Sequence, residues 1–88
     1  MVAYKVNLTP KAKENLKALD ISMAQRVLEK IRWLSQNVEN LHHKTLKGNY
    51  ADIFKLRVGD WRVLYTIDYS TYTIIVRLIK HRRDVYKV

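Results

Sequence analysis

The sequence has 88 residues, and its 17 lysines and arginines against 8 acidic residues give a net charge of +9. A hydrophobic content of 48% excludes a disordered chain, and the absence of cysteine excludes disulfides and thiolate sites. No segment approaches the ~20 apolar residues of a membrane span, and the N-terminus lacks the apolar run of a signal peptide, so we expect a cytoplasmic protein with no membrane partner. The basic excess is larger in residues 44–88, with 10 basic and 4 acidic side chains, and predicts a polyanionic partner.

The first forty residues predict one strand followed by two helices. Residues 2–8 alternate apolar and polar side chains, as a half-buried strand does. Thr9 and Pro10 indicate the start of a short helix, with Thr9 as the capping residue. A second helix should begin at Ser22, which has the spacing of a capping box. Its apolar stripe should pack on a sheet face and consists of Ala24, Val27, Leu28, Ile31, Leu34 and Val38.

Two features of the middle of the chain admit more than one interpretation. Trp33 lies opposite the apolar stripe, where it either marks a partner site or, more commonly, covers a neighbouring loop. Residues 39–51 form a basic connection in which His42 and His43 are adjacent. No third metal ligand is evident, so we interpret the two histidines as a solvated pair, and we expect neither a metal nor a cofactor.

The second half of the chain predicts three strands. Alternating patterns over residues 54–58 and 61–67 flank Gly59 and Asp60, a two-residue hairpin loop. Residues 72–80 are apolar on both faces, which predicts a central strand with Ile74, Val76 and Leu78 on one face and Ile75 and Ile79 on the other. The predicted fold is one α+β domain over residues 1–88, in the order β-α-α-β-β-β, with two N-terminal helices packed on one face of a small antiparallel sheet.

The hairpin fixes which residues share a face. With a two-residue loop, Val58 faces Trp61, and the alternate residues on this side are apolar and form the core face. The opposite face then carries Arg57 directly across from Arg62, with Lys55 two residues along. Like charges directly opposite destabilise a sheet, and an anion such as a phosphate would relieve the repulsion. The pattern favours a phosphate-binding patch over a solvated face that tolerates the repulsion.

The available side chains suit metal-free cleavage of RNA. The acidic residues are scattered without ligand spacing, and no glycine-rich phosphate loop is present. The RNA 2′-hydroxyl can attack its own phosphodiester if a base removes its proton and arginines stabilise the developing charge. We expect Arg57 and Arg62 to disfavour the charged form of Lys55, which would then act as the base. Tyr86 either stacks on an RNA base or packs the C-terminus down.

Three stretches together resemble the RelE/ParE toxin superfamily. They are Leu46-Lys47-Gly48, the hairpin FKLRVGDWRVLY from Phe54 to Tyr65, and the tail HRRDVY from His81 to Tyr86. The resemblance covers nearly the whole chain and implies a toxin of a type II toxin–antitoxin system, held in a hetero-oligomer by a cognate antitoxin. Because RelE-like members cut mRNA in the ribosomal A site, it also implies a ribosome-dependent endoribonuclease that inhibits translation.

The same resemblance implies roles for individual residues. Lys55 matches the general base, Arg62 the phosphate-binding arginine, and Arg82 the arginine at the end of the last strand. Tyr86 matches the tyrosine that stacks on the substrate base, and His81 a proton-transfer group. Ile53 stands where RelE has a second lysine, and the resemblance implies that His81 takes over part of the role of that missing lysine. The basic residues expected to bind RNA are Lys44, Lys47, Arg57, Arg77 and Arg83.

Two other functions stay open at this point. ParE-like members share the fold but poison DNA gyrase without cutting RNA. The tail from His81 to Tyr86 favours the nuclease, because it holds a candidate acid and a candidate stacking residue. The third possibility is an inactive toxin that only binds its antitoxin.

Overall fold

A computed structural model describes residues 3–41, 43–45 and 52–85. In chain order the elements are β1 (Lys5–Leu8), α1 (Pro10–Ala18), α2 (Ile21–Asn37), β2 (Lys44–Thr45), β3 (Phe54–Val58), β4 (Trp61–Asp68) and β5 (Thr73–His81). Short 3-10 turns span Val38–Asn40 and Arg82–Asp84. The α+β class, with both N-terminal helices on one face of the sheet, is confirmed. None of the helices within the described ranges is long and apolar enough to span a membrane.

The sheet has five strands in the order β1-β5-β4-β3-β2, and it is mixed where an antiparallel sheet was predicted. Strand β1 runs parallel to β5, while the other neighbours are antiparallel. Alternation of side chains does not reveal strand direction, so the sequence pattern could not distinguish the two arrangements. Strand β2 was not predicted, because a pair of residues is too short to show a period of two.

The start of α1 agrees with its prediction. The Thr9 hydroxyl accepts a hydrogen bond from the Ala12 N–H at 3.1 Å, and Pro10 is the first helical residue. The same hydroxyl donates to the carbonyl oxygen of Arg77 at 2.9 Å. The helix cap therefore also ties α1 to β5.

The start of α2 differs from its prediction. The helix begins at Ile21 with Asp20 as its capping residue, and the Asp20 carbonyl accepts the first helical hydrogen bond from the Ala24 N–H at 2.9 Å. Ser22 already lies inside the helix, so the predicted capping box is wrong. Leu28, predicted to belong to the buried stripe, is 46% exposed because it lies at the edge of that stripe.

The core lies between the helices and one face of the sheet. The predicted hairpin register is confirmed, since Val58 pairs with Trp61, Leu56 with Val63, and Phe54 with Tyr65. All six side chains belong to the core cluster or pack against it. The helices contribute buried Ala12, Val27, Ile31 and Leu34 to the same core, and the 3-10 turn after α2 contributes Val38.

A bulge in β5 changes which residues share a face. Leu64 pairs with Leu78 and Tyr65 with Val76, which leaves Arg77 without a partner across the ladder. The predicted alternation of β5 is therefore wrong beyond Val76, because the extra residue reverses the faces. Ile79 packs in the helix-covered core, whereas Leu78 points to the other face.

A second, smaller apolar cluster lies on that other face. Leu64 and Val85 are buried there, 1% and 3% exposed, with Ile53 and Leu78 packed against them. The contact brings the chain after β5 back over the sheet. It also explains why residue 53 is an apolar isoleucine, since the Ile53 side chain packs against this cluster.

Candidate nucleic-acid interface

Five cationic side chains share the sheet face that the helices leave open. Arg57 lies directly opposite Arg62, Arg62 lies directly opposite Lys80, and Lys44 lies directly opposite Lys55. Directly opposite residues have Cβ atoms about 5 Å apart on the same side of the sheet. We call this surface, defined by Lys44, Lys55, Arg57, Arg62 and Lys80, the basic face.

The basic face carries uncompensated charge. Among the described residues, Lys44, Lys55, Arg57 and Arg62 line a cavity of about 220 Å³. Within residues 3–41, 43–45 and 52–85, the ion pairs join Lys11 to Glu14, Arg82 to Asp60 and Arg83 to Asp84, and none reaches these four side chains. The cavity is therefore a place where an anion would gain charge-assisted hydrogen bonds and relieve repulsion at once.

The hairpin loop fixes the orientation of Arg62. Its Nη1 donates to the carbonyl oxygens of Gly59 and Trp61, each at 2.9 Å. Gly59 has a φ of 59°, in the left-handed region that glycine adopts without strain. The guanidinium is thus held by backbone groups, and within the described residues no hydrogen bond joins its Nη2 or Nε to an acceptor.

Lys80 belongs to the basic face although the sequence did not single it out. Strand β5 returns from a turn in which Asp68 pairs with Thr73, and counting back from that pair would place Ile79 opposite Arg62. The bulge at Arg77 advances the register by one residue and puts Lys80 there instead. No periodic signal in the sequence marks a bulge, so this residue could not be found from pattern alone.

His81 lies away from the basic face. It pairs with Trp61 across the sheet, on the helix-covered side, and the two ring centroids are 5.4 Å apart. Its Nδ1 accepts a hydrogen bond from the Arg83 N–H at 3.3 Å and caps the final 3-10 turn. The structure thus does not bring His81 together with Lys55 and Arg62.

The remaining predicted residues are spread around the sheet. The Arg82 N–H donates to the Asp60 carbonyl at 2.8 Å, which joins the tail to the hairpin loop. Arg83 is exposed beside Asp84. Arg77 reaches the hydroxyl of Thr66 at 3.2 Å, on the same side as the basic face but about 13 Å along β4 from Arg62. Lys47 and Tyr86 lie outside the described residues, although Val85, next to Tyr86, is buried on this side of the sheet.

His43 is not part of a solvated pair, contrary to its prediction. Its Nε2 lies 2.9 Å from the Val38 carbonyl oxygen, which can only accept, so Nε2 carries the proton. Its Nδ1 then accepts from the Tyr65 hydroxyl at 2.6 Å. Burial raises the pKa of Tyr65 above its ordinary value and keeps that donor protonated. His43 anchors the chain directly before Lys44; His42 lies outside the described residues.

Comparisons with known proteins agree with this fold. Residues 6–85 match the family described as the ParE toxin of the type II toxin-antitoxin system, parDE. The chain is 30% identical over 87 residues to a putative toxin RelE1 of Methanocaldococcus jannaschii, and the match covers 96% of each protein. The chain therefore belongs to the ParE toxin family, within the RelE/ParE superfamily of type II toxins.

Solved structures resemble it over most of its length. The chain matches one from the RelBE2 toxin–antitoxin complex of Mycobacterium tuberculosis with a TM-score of 0.83 and 32% identity, covering 96% of this chain and 97% of that one. A double mutant of the Escherichia coli toxin RelE, in the free state, has a TM-score of 0.78 at 14% identity, with 96% and 88% covered. The second likeness concerns the fold alone.

Proposed function

We propose that this toxin is a ribosome-dependent endoribonuclease that cleaves mRNA in the ribosomal A site and so inhibits translation. The observation that carries the proposal is the basic face, where Arg57, Arg62 and Lys80 lie in one row across three strands. Such a row costs stability unless an anion binds it, and the phosphodiester of RNA is an anion of suitable size. The similarity to proteins named as RelE toxins supports the same conclusion.

Cleavage would proceed by attack of the RNA on itself. Lys55 would take the proton of the 2′-hydroxyl, whose oxygen then forms a bond to the adjacent phosphorus. Arg57, Arg62 and Lys80 would stabilise the extra negative charge on the phosphate oxygens. The bond from phosphorus to the 5′-oxygen breaks, and that oxygen takes a proton from a general acid. The products are a 2′,3′-cyclic phosphate and a 5′-hydroxyl, and this step consumes no water.

The tail would complete the site. Val85 is buried beside Leu64, on the face that carries Lys55. Tyr86, the next residue, is our candidate for stacking on the substrate base. Arg82 and Arg83 would contact the RNA backbone outside the cavity, as would Lys47 and Arg77, whereas Lys44 would contact it at the cavity itself.

A cognate antitoxin would hold the toxin inactive. The similar Mycobacterium tuberculosis chain was solved in a toxin–antitoxin complex, and the basic face here offers charge for acidic side chains of such a partner. We propose a hetero-oligomer of toxin and antitoxin in the cytoplasm, with residues 1–88 as one toxin domain.

A second candidate function is inhibition of DNA gyrase. The matching family is that of ParE toxins, and ParE-like members act on gyrase without cutting RNA. A parallel assay separates the two functions. The purified chain is added to a translation system and, separately, to a gyrase supercoiling reaction. Arrest of translation with unchanged supercoiling supports the nuclease, and the reverse result supports the gyrase inhibitor.

A further inference from the structure

Trp33, on helix α2, lies near the basic face, because it lines two cavities that Arg57 of the basic face also lines. Trp33 is 39% exposed. Lys30, one turn earlier, places its Nζ 4.0 Å from the centroid of the indole ring. This cation–π contact lies at the protein surface, where the exposed part of the ring and the ammonium group can both meet a partner.

Two cavities join Trp33 to the basic face. One, of about 250 Å³, is lined by Lys44, Lys55 and Arg57 at one side and by Lys30 and Trp33 at the other. The second, of about 420 Å³, contains Trp33, Lys30, Arg57 and Arg26 and ends at the hairpin loop. Arg57 lines both, and it also lines the cavity of the basic face. The three cavities therefore adjoin at Arg57, and we call this row of cavities round strand β3 the path.

We propose that this path is a second nucleotide subsite, in which one base of a single-stranded RNA stacks on Trp33 while Lys30 and Arg26 meet the flanking phosphates. An aromatic platform beside a groove of cations is the usual construction of single-strand binding sites. The inference rests on the proposed function, because it extends the phosphate site at Arg57 and Arg62 by further nucleotides of the same strand.

The chemistry of the path favours RNA over an acidic protein segment. Lys30 and Arg57 line both cavities with Trp33, and Arg26 lines the second, so a stacking surface lies among phosphate-binding charges. Glu29 lines the second cavity and would repel a carboxylate or a phosphate placed beside it, so the group next to Glu29 should be uncharged. A nucleic acid can orient its uncharged base toward that position.

The subsite is tested by direct binding, apart from cleavage. The probes are 2′-O-methyl RNA oligonucleotides, which lack the attacking hydroxyl, of about three and about ten nucleotides. Trp33→Leu should weaken binding of the longer probe about tenfold, the loss expected for one stacked base, and leave the shorter probe unaffected. Trp33→Phe, which keeps a π face, should retain most of the affinity. Tyr69→Leu is the matched control, since Tyr69 is 57% exposed on the turn between β4 and β5.

The salt dependence gives a second readout. Lys30→Ala should lower the slope of log affinity against log salt concentration by about 0.7, the value for one phosphate contact on a single strand. Lys13→Ala is the matched control, because Lys13 is an exposed lysine of α1 that lines none of the three cavities. Its slope should equal that of the unsubstituted protein.

Three results would overturn the inference. If the unsubstituted protein and Trp33→Leu bind the longer probe equally and mRNA cleavage is intact, the subsite is contradicted, whereas the proposed function is not. Loss of antitoxin binding in Trp33→Leu, without loss of RNA binding, assigns the surface to the protein partner instead. No binding of either probe and no mRNA cleavage by the unsubstituted protein defeats both proposals together.

Discussion

Arg57 and Arg62 lie directly opposite each other on neighbouring strands, and no acidic side chain in the described part of the chain pairs with either. Arg62 is held by two backbone carbonyls, so it cannot turn away from its neighbour without losing both hydrogen bonds. The fold therefore keeps two like charges on directly opposite residues at the surface where we propose that RNA is cleaved.

Replacing Arg57 should make the protein more stable and less active. Arg57→Gln removes the like-charge contact, and we expect the free energy of unfolding to rise by up to about 1 kcal/mol at low salt. The gain should shrink at high salt, where the charges are screened. Urea denaturation at two salt concentrations measures it, with Lys13→Gln as the control; a loss of stability in Arg57→Gln would contradict the prediction.

Lys55 should matter to the chemical step more than to binding. Lys55→Met removes the proposed base, and cleavage on ribosomes should fall by about 10²–10⁴-fold, the usual contribution of general base catalysis. Lys55→Arg should not rescue it, because a guanidinium stays protonated. Single-turnover cleavage measures the rate. A rate restored by arginine would show that Lys55 supplies charge alone.

The contact between His43 and Tyr65 should stabilise the fold and position Lys44. His43→Ala leaves the buried Tyr65 hydroxyl without its acceptor, and we expect a loss of about 1–3 kcal/mol. In a Tyr65→Phe background, His43→Ala should lower the free energy of unfolding by less, because no buried hydroxyl is then left without an acceptor. A double-mutant cycle from chemical denaturation gives the coupling. Additive losses would mean that the hydrogen bond contributes nothing.

Asp68 should make the turn between β4 and β5 sensitive to acid. Hydrogen bonds from the Ser70 hydroxyl and backbone, at 2.6 and 3.0 Å, lower the pKa of Asp68 below its ordinary value of 3.8. The lowered pKa means that the carboxylate stabilises the fold above pH 3.8 and that this contribution is lost as the pH falls toward the folded-state pKa.

Thermal unfolding between pH 6 and pH 3 tests this linkage. The melting temperature of the unsubstituted protein should fall more than that of Asp68→Asn, whose side chain does not titrate. Asp52→Asn serves as the control, because Asp52 is an exposed acid that precedes β3, whereas Asp68 ends β4. Parallel curves for the unsubstituted protein and Asp68→Asn would contradict the assignment.

The sequence predicted most of the site because a tight loop determines the pairing of its strands. Gly59 and Asp60 fixed the position of Arg57 opposite Arg62, and the structure agrees. The partners on β5 could not be derived in the same way, since the bulge at Arg77 shifts the register without leaving a periodic trace. That shift is why Lys80 was missed and why His81, predicted at the site, lies beside Trp61 instead.

Helix and loop details depended on contacts that no local pattern encodes. The capping box at Ser22 was a reasonable match in spacing, but Asp20 takes the capping position because the chain leaves α1 there in an extended conformation. His43 gave no sign of its role, because its partners, Val38 and Tyr65, are set by how β2 approaches the core. Resemblance to a family supplied what pattern could not, namely the expected roles of the basic residues.

Mapping the ends of mRNA fragments tests the central claim most directly. The purified chain is added to a translation system with a defined mRNA, with and without ribosomes, and the 5′ ends are located by primer extension. We predict cuts within codons that appear only with ribosomes and that disappear in Lys55→Met and in a message with a 2′-deoxy nucleotide at the cut. Intact mRNA while translation continues would contradict the account and make inhibition of gyrase the leading function.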